Sequence, residues 1–316
     1  MSFSNNVKEE LFKVLPQARH CRIAELAALI GFGATEVRAD AFCFDNRMTG
    51  LKAQTLIYRI FKFESGEAAG RNLFTLRCSK PEMTEILEAI KVKKGDFQIF
   101  SVDKQGQNIH NTLRNDIVPG MLVCTQTCCK RAFLRGAFLA CGSLSDPEKD
   151  YHLEFVLKNE KQAFMLREVL SSLSVETGTV MRKKTYVLYI KDSEMIAMLL
   201  TLTDAHVALM DLENIRILKE VRNDVNRRVN CETANIEKTV RAASKQVEDI
   251  RFLASQPGFD ELPEELKVTA ALRLEHPEVS LSELAMLHPT SVSRSGINHR
   301  LRRLCELAEK AGKRRS

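Results

Sequence analysis

The sequence predicts an α+β domain built from two related halves, followed by an all-α domain that closes with a helix-turn-helix. Three observations predict it. A shift of 108 residues lays Cys21 on Cys129, Arg22 on Lys130, Ala24 on Ala132 and Leu26 on Leu134, so that LAALIGFGA (26–34) falls on LRGAFLACG (134–142). Internal repetition of this kind decides architecture before any single element does. Helix and strand patterns then recur in the same order, roughly 110 residues apart. Finally, residues 291–316 hold eight Lys or Arg against two Glu, whereas the other 290 residues carry 39 charges of each sign. The entire positive excess sits at the C-terminus.

A chain of 316 residues supports two or three domains with real cores. The expected divisions are a first half over 1–118, a second over 119–205, a connector over 206–232 and the helix-turn-helix domain over 233–316. The start, MSFSNNVKEELFKVL, lacks the basic-apolar-small layout of a signal peptide. The most apolar window, Met195–Met210, is interrupted by Asp204 and His206. Membrane insertion is therefore not expected, and the predicted location is cytoplasmic. Nine cysteines in that setting argue against a disulfide framework. Cys124, Cys128 and Cys129 form a C-x3-C-C cluster, but adjacent cysteines rarely share one tetrahedral ion, and no second CxxC or His pair follows. No metal or cofactor is expected, and most of these thiols read as small buried hydrophobes.

In order along the chain, Val7–Leu15 is an amphipathic run, and Arg22–Ile30 reads as a helix with Gly31 and Gly33 as its stop signals. Val37–Phe44 is strand-like. A helical run opens at Thr49 and carries Leu51, Thr55, Leu56, Tyr58 and Phe63. Leu73–Cys78 is a strand, and Pro81 starts a helix carrying Met83–Ile90. In the second half Arg131–Ala140 is a helix, its Gly136, Ala137 and Ala140 leaving one side nearly bare for close contact. Residues 142–147 read as a loop and Tyr151–Leu157 as a strand. Lys161–Leu173 is a helix with Phe164, Leu166, Val169, Leu170 and Leu173 at core spacing. Strands at Thr177–Arg182 and Thr185–Lys191 and a helix at Ser193–Leu202 complete the half.

Leu212–Val229 reads as a polar connecting helix with Arg216, Lys219, Asn223 and Arg227 on one face, either a solvated stripe or one that tracks phosphates. The Asn-rich stretch Arg222–Asn235 predicts a break, since Asn favours caps and turns. A further helix runs to about Leu253 and stops at Gln256-Pro-Gly. Pro263 opens a helix that turns Leu266, Ala270 and Leu274 inward and ends at His276-Pro277. Ser280 and Glu283 form a capping box for a short helix carrying Leu281, Leu284, Ala285 and Leu287. After a His288-Pro289-Thr290 turn, the last helix begins at Ser291 and buries Val292, Gly296, Ile297, Leu301 and Leu304.

Its outer positions are Ser293, Arg294, Ser295, Asn298, His299 and Arg302, with Arg300 and Arg303 on the flanks. Arg pairs bidentately with guanine and Asn with adenine, while Ser and flanking Arg reach phosphates, so these eight residues are the expected contacts to double-stranded DNA. A basic helix at a protein interface would present a similar composition. Arg182, Lys183, Lys184 and Lys191 mark a second basic surface, for nucleic acid or for solubility alone.

The paired stretches at 26–34 and 134–142 resemble the LAGLIDADG helices of homing endonucleases, in which two such helices pack about a pseudo-two-fold axis and each ends in an acid that binds catalytic magnesium. Magnesium wants hard carboxylate oxygens. The matching positions here are Gly33 and Cys141, neither of which serves. Asp146, Glu148 and Asp150 follow nearby, so a magnesium-dependent endonuclease using other acids is the alternative. Across its whole length the chain resembles the WhiA family of bacterial sporulation and cell-division regulators. The resemblance rests on SFSNNVKEEL, CRIAELAALIGFG, CKRAFLRGAFLACGSLSDPEKDYHLEF, RNDVNRRVNCETANIEKTVRAA, LRLEHPEVSLSEL and SVSRSGINHRLRRL. It implies a degenerate LAGLIDADG homing-endonuclease domain joined to a helix-turn-helix. That describes a non-enzymatic, sequence-specific DNA-binding regulator of cell division, chromosome segregation or sporulation. Such a protein is nucleoid-associated and has transcription or cell-division proteins as further partners. Cys141 stands where the family pattern has glycine.

Overall fold

The computed structural model describes residues 2–38, 40–69, 73–92, 112–113 and 118–313, which form two compact units dividing between Leu218 and Lys219. The first unit opens with α1 (Phe3–Lys13), capped by the Ser2 hydroxyl, which accepts the Asn5 N–H at 3.3 Å. The first half then runs α2 (Arg19–Gly33), β1 (Ala34–Arg38), β2 (Ala41–Phe44), α3 (Arg47–Phe61), β3 (Gly66–Ala69), β4 (Phe74–Arg77) and α4 (Lys80–Ala89). A short β5 (Thr112–Leu113) follows. The second half repeats the order with α5 (Thr127–Cys141), β6 (Gly142–Leu144), β7 (Leu153–Leu157), α6 (Glu160–Ser171), β8 (Gly178–Arg182), β9 (Thr185–Ile190) and α7 (Ser193–Leu202). Both antiparallel sheets share one strand order, β3-β4-β2-β1 in the first half and β8-β9-β7-β6 in the second, with β5 added beside β1. The two related halves expected from the repeat are therefore present as matching topologies.

The halves join through α2 and α5. Ala24, Leu26, Ala27, Ala28, Leu29 and Ile30 on one helix, and Ala132, Phe133, Leu134, Ala137, Phe138 and Leu139 on the other, are buried. A helix apolar nearly all round belongs inside a core. Small residues let the backbones close up: a Cβ on Gly136 would stand 2.5 Å from the Glu25 carbonyl oxygen and 3.0 Å from the Ala28 Cβ. Phe32 and Phe133 meet edge to face beside this contact, centroids 5.4 Å apart.

Glycines 31 and 33 do not stop α2. Gly31 lies inside it and Gly33 is its last residue, where the role is close approach: a Cβ on Gly33 would meet Thr49 Cγ2 at 2.8 Å and Ala140 Cβ at 3.2 Å. The helix ends where Ala34 turns to extended backbone and begins β1. A matched pair of bonds serves the exposed carbonyls near both helix ends. The Thr49 hydroxyl on α3 donates to the Leu139 carbonyl at 3.2 Å, and the Gln162 amide on α6 donates to the Gly31 carbonyl at 2.8 Å. Leu139 and Gly31 are equivalent under the 108-residue shift. Each donor stands three residues after an asparagine N-cap, Asn46 or Asn159.

Charge is also buried at this contact. Glu25 accepts from Arg135 Nε and Nη2 at 3.1 and 3.0 Å and lies 3.5 Å from Lys52 Nζ, while Arg135 Nη1 reaches Asp204 at 2.7 Å. Lys52 donates in turn to the Phe12 carbonyl at 2.7 Å and to that of Val14. Burial pushes the Glu25 carboxyl up, against the pull of Arg135 and Lys52, and pushes the Lys52 ammonium down.

Other elements depart from the sequence reading. Val37–Phe44 is a hairpin of two strands, β1 and β2, and residues 142–144 form β6 where a loop is expected. Phe164 is 55% exposed and packs under the Arg167 guanidinium, the buried face of α6 being Gln162, Ala163, Met165, Leu166, Val169 and Leu170.

The long helix α8 (His206–Ala254) buries Ala208 and Leu212 in the first unit and Ala243, Val247, Ile250 and Leu253 in the second, with residues 220–242 exposed. The break expected at Arg222–Asn235 is absent. Asn costs a helix only a fraction of a kcal/mol, exposed side chains stay hydrated, and neither Gly nor Pro occurs between 206 and 254. Beyond Gly258, which takes φ +104°, come α9 (Glu264–Glu275), α10 (Leu281–Leu287) and α11 (Arg294–Lys313). Ala270, Leu284, Ile297, Leu301, Leu304 and Ala308 share a core with Ile250 and Leu253.

Gly136→Ala should destabilise the protein by about 1–3 kcal/mol, because the clash is with backbone and overpacking costs that much. Helix propensity alone favours alanine by about 1 kcal/mol. Urea unfolding of the full chain decides between them, and a variant as stable as the parent would refute the close approach.

Candidate nucleic-acid interface

The last three helices make the helix-turn-helix. Ser280 caps α10: its hydroxyl accepts the Glu283 N–H at 3.3 Å, and Glu283 Oε2 accepts the Ser280 N–H at 2.7 Å. The turn into α11 is longer than three residues, spanning 288–293, because the final helix begins at Arg294 and not at Ser291. Leu284 faces the core, whereas Leu287 is 47% exposed.

His288 orders this turn. Arg300 Nη1 donates to His288 Nε2 at 3.2 Å, and His288 Nδ1 faces Thr290, 3.2 Å from its backbone nitrogen, 3.1 Å from its carbonyl oxygen and 3.0 Å from its hydroxyl. Arg300 Nη2 also reaches Glu265 on α9 at 2.7 Å, with the arginine side chain only 18% exposed. Arg273 is buried, and its Nη1 donates to the carbonyls of His276, Pro277 and Val279 between α9 and α10. Two arginines thus hold the motif together from inside.

Of the eight expected contact residues, Ser293, Arg294, Ser295, Asn298, His299, Arg302 and Arg303 are exposed. Ser295, Asn298, His299 and Arg302 fall at steps of three and four on one face. Ser293 sits just before α11, and its hydroxyl accepts the Gly296 N–H at 3.2 Å, a capping position. Arg302 and Arg303 lie 3.6 and 3.5 Å from Glu306. Arg300 is the one of the eight turned into the motif's own packing. On the connector, Arg216 is likewise engaged by Glu213 at 2.9 Å and Glu194 at 3.7 Å. In the first unit Arg182, Lys183, Lys184 and Lys191 are exposed at or beside the hairpin of β8 and β9, with Arg182 3.3 Å from Glu154.

At the ends of α2 and α5 the surroundings are basic. Lys158 Nζ donates to the Ala34 carbonyl, and the positive fields of Lys8 and Lys158 bear on Cys141. Desolvation pushes that thiol up to about 12, and its Sγ donates to the Ala137 carbonyl at 3.3 Å. Asp146 accepts the Glu148 N–H at 3.0 Å, and both border a separate hollow with Phe3, Asn6, Asp211 and Asn214.

Comparison with known proteins assigns both parts. Residues 225–308 match the family model described as the WhiA C-terminal HTH domain, and residues 130–222 match the WhiA LAGLIDADG-like domain. The "Probable cell division protein WhiA" of Lachnoclostridium phytofermentans is 42% identical over 317 residues, covering 98% of this chain and 99% of that protein. The protein of the same description from Desulforamulus reducens is 40% identical over 324 residues, covering 98% and 96%. The crystal structure of full-length DUF199/WhiA from Thermatoga maritima covers 98% of this chain and 99% of its own with a TM-score of 0.57, a likeness of fold at 24% identity.

The Ser280 N–H holds the Glu283 carboxyl below its ordinary range. Its support for α10 is therefore complete above the ordinary carboxylate value and is lost as pH falls through the depressed one. Amide exchange in α10 of the full chain should accelerate over that acid range, and Glu283→Gln, which keeps an acceptor but no charge, should flatten the change. An identical pH response in the variant would remove Glu283 from the account.

Proposed function

The chain belongs to the WhiA family, and from this premise we propose that it is a sequence-specific regulator binding double-stranded DNA through α11, acting without catalysis in cell division, chromosome segregation or sporulation. The observation that carries the reading is the outward face of α11, where Arg294, Ser295, Asn298, His299 and Arg302 stand exposed on a helix that Arg300 ties to α9 and to the preceding turn. These side chains suit base edges and phosphates in a major groove. The relatives described as cell-division proteins support the cellular role. No helix among the described residues is long and apolar enough to cross a membrane. That agrees with a cytoplasmic, nucleoid-associated protein whose further partners belong to transcription or division. The basic hairpin of β8 and β9 provides a second surface for DNA or for such a partner.

The absence of catalysis is inferred from the helix ends. A magnesium pair would need carboxylates there. The residues present are Gly33, whose Cβ position is filled by Thr49 and Ala140, a protonated Cys141, and two lysines.

Arg294→Ala or Asn298→Ala should cost about 1–3 kcal/mol on the preferred site and relax base preference, while Arg303→Ala weakens every duplex alike and lowers the salt slope by about 1. Fluorescence anisotropy of the full chain against a selected site and random duplex, across a salt series, measures both. Equal affinity for the two duplexes would place recognition elsewhere. Incubation with supercoiled plasmid and Mg2+ should leave it intact. Dose-dependent cutting that survives the α11 substitutions would make the protein a nuclease.

A further inference from the structure

The first turns of α2 and α5 bring four soft donors together: His20 and Cys21 from one helix, Cys128 and Cys129 from the other. Their ligand atoms all lie within 4.8 Å of one another. His20 Nδ1 is 3.2 Å from Cys129 Sγ and 3.3 Å from Cys21 Sγ. A zinc ion with Zn–S of about 2.3 Å and Zn–N of about 2.0–2.1 Å has tetrahedral edges of about 3.8 Å between sulfurs and about 3.6 Å from nitrogen to sulfur. The cluster therefore needs adjustments of about an ångström to enclose the ion. Two donors, Cys21 and Cys129, are buried, and the other two face solvent, so an entry path exists.

We propose that His20, Cys21, Cys128 and Cys129 form a structural zinc site that pins the N-termini of the two central helices on their pseudo-two-fold axis. The 108-residue shift that superposes the helices places Cys21 on Cys129 and His20 on Cys128, so each half supplies an equivalent dipeptide at the second and third positions of its helix. Cys124, the third member of the cluster suggested by spacing, is outside this group, and its place is taken by two residues from the other half. The adjacent donors that spacing alone disfavours converge here because each pair sits on the first turn of a separate helix, with all four ligand atoms within 4.8 Å of one another.

The electrostatics suit a centre of this charge. Three thiols release their protons to solvent as Zn2+ binds, and three thiolates with one imidazole around the dication sum to −1. Both helices begin without a side-chain cap, Ala18 and Gln126 offering no hydrogen bond to the first turn. The donors sit on the first turns, at the positive dipole ends of both helices, which favour negative charge. Four protein donors leave no open position, which is the pattern of structural zinc and not of catalytic zinc.

The test is metal analysis of the full-length protein, purified under reducing conditions without chelator and desalted. About one zinc per chain is expected. Cobalt replacement should give thiolate-to-metal charge-transfer absorption. His20→Asn and Cys128→Ser change exposed donors, so the fold should persist by circular dichroism. Each should weaken zinc binding by more than roughly a hundredfold, beyond what loss of an outer-shell partner costs. Cys124→Ser should leave metal content unchanged. Folded protein that takes up no zinc when supplied with it, equal loss in Cys124→Ser, or a disulfide between Cys21 and either Cys128 or Cys129 in the reduced preparation would overturn the proposal.

Discussion

The first unit depends on how closely α2 approaches α5. At Gly136 the separation leaves no room for a methyl group against the Glu25 carbonyl, and the same residue, Glu25, sends its carboxylate to Arg135 on the facing helix. The two contacts constrain different things. Packing sets the distance between the helices. The ion pair sets their register, because a slide of one turn, about 5.4 Å, would strand two buried charges. Such a pair adds little net stability, since desolvation consumes most of its Coulomb attraction, but losing one member costs about 3–5 kcal/mol. Lys52 and Asp204 extend the pairing to α3 and to the turn after α7, which brings elements of both halves to one buried centre.

Register in turn determines what the helix ends can be. With the axis closed this tightly, Gly33 lies against Thr49 and Ala140, and a longer side chain there would displace α3 or α5. The carbonyls nearby are satisfied from the opposite half by Thr49 and Gln162, and that of Ala34 by Lys158. Where the resemblance to homing endonucleases implies two carboxylates about a metal, this chain has donors satisfying backbone carbonyls. These hydrogen bonds between the halves close the ends of the axis.

Much of this was legible in the sequence, and the exceptions have physical causes. The two-half plan was readable because equivalent helices keep equivalent small residues, so Ala24 and Ala132 or Leu26 and Leu134 align without gaps. Gly31 and Gly33 misled as stop signals, since glycine ends a helix and admits a neighbour with the same lack of a side chain; only the partner shows which. The burial of Glu25 and Arg135 has no local signal, because their pairing joins residues 110 apart in the chain. Phe164 sat at core spacing yet packs on Arg167, as helical periodicity cannot say how wide the buried stripe is. On α11 the outward residues were recoverable from the 3.6-residue period, whereas the inward duty of Arg300 depends on Glu265 and His288, which are distant in sequence.

Packing also orients the reading of α11. Arg300 and Arg273 are consumed in holding α9, α10 and the turn, so they carry charge without offering it to a partner. Toward the C-terminal end of the exposed face, Glu306 lies beside both Arg302 and Arg303. Surface pairs of this kind are weak and give way to phosphate, but the carboxylate still opposes a polyanion next to them. The first turn of α11 carries no acid, and Arg294 and Ser295 stand there at the positive end of the helix dipole, with Asn298 and His299 one turn on. In helix-turn-helix proteins it is the N-terminal residues of the recognition helix that meet base edges. On this chain charge, dipole and exposure all favour that end, so in the proposed reading bases are read by 294–299 and the phosphate backbone is held by 302 and 303.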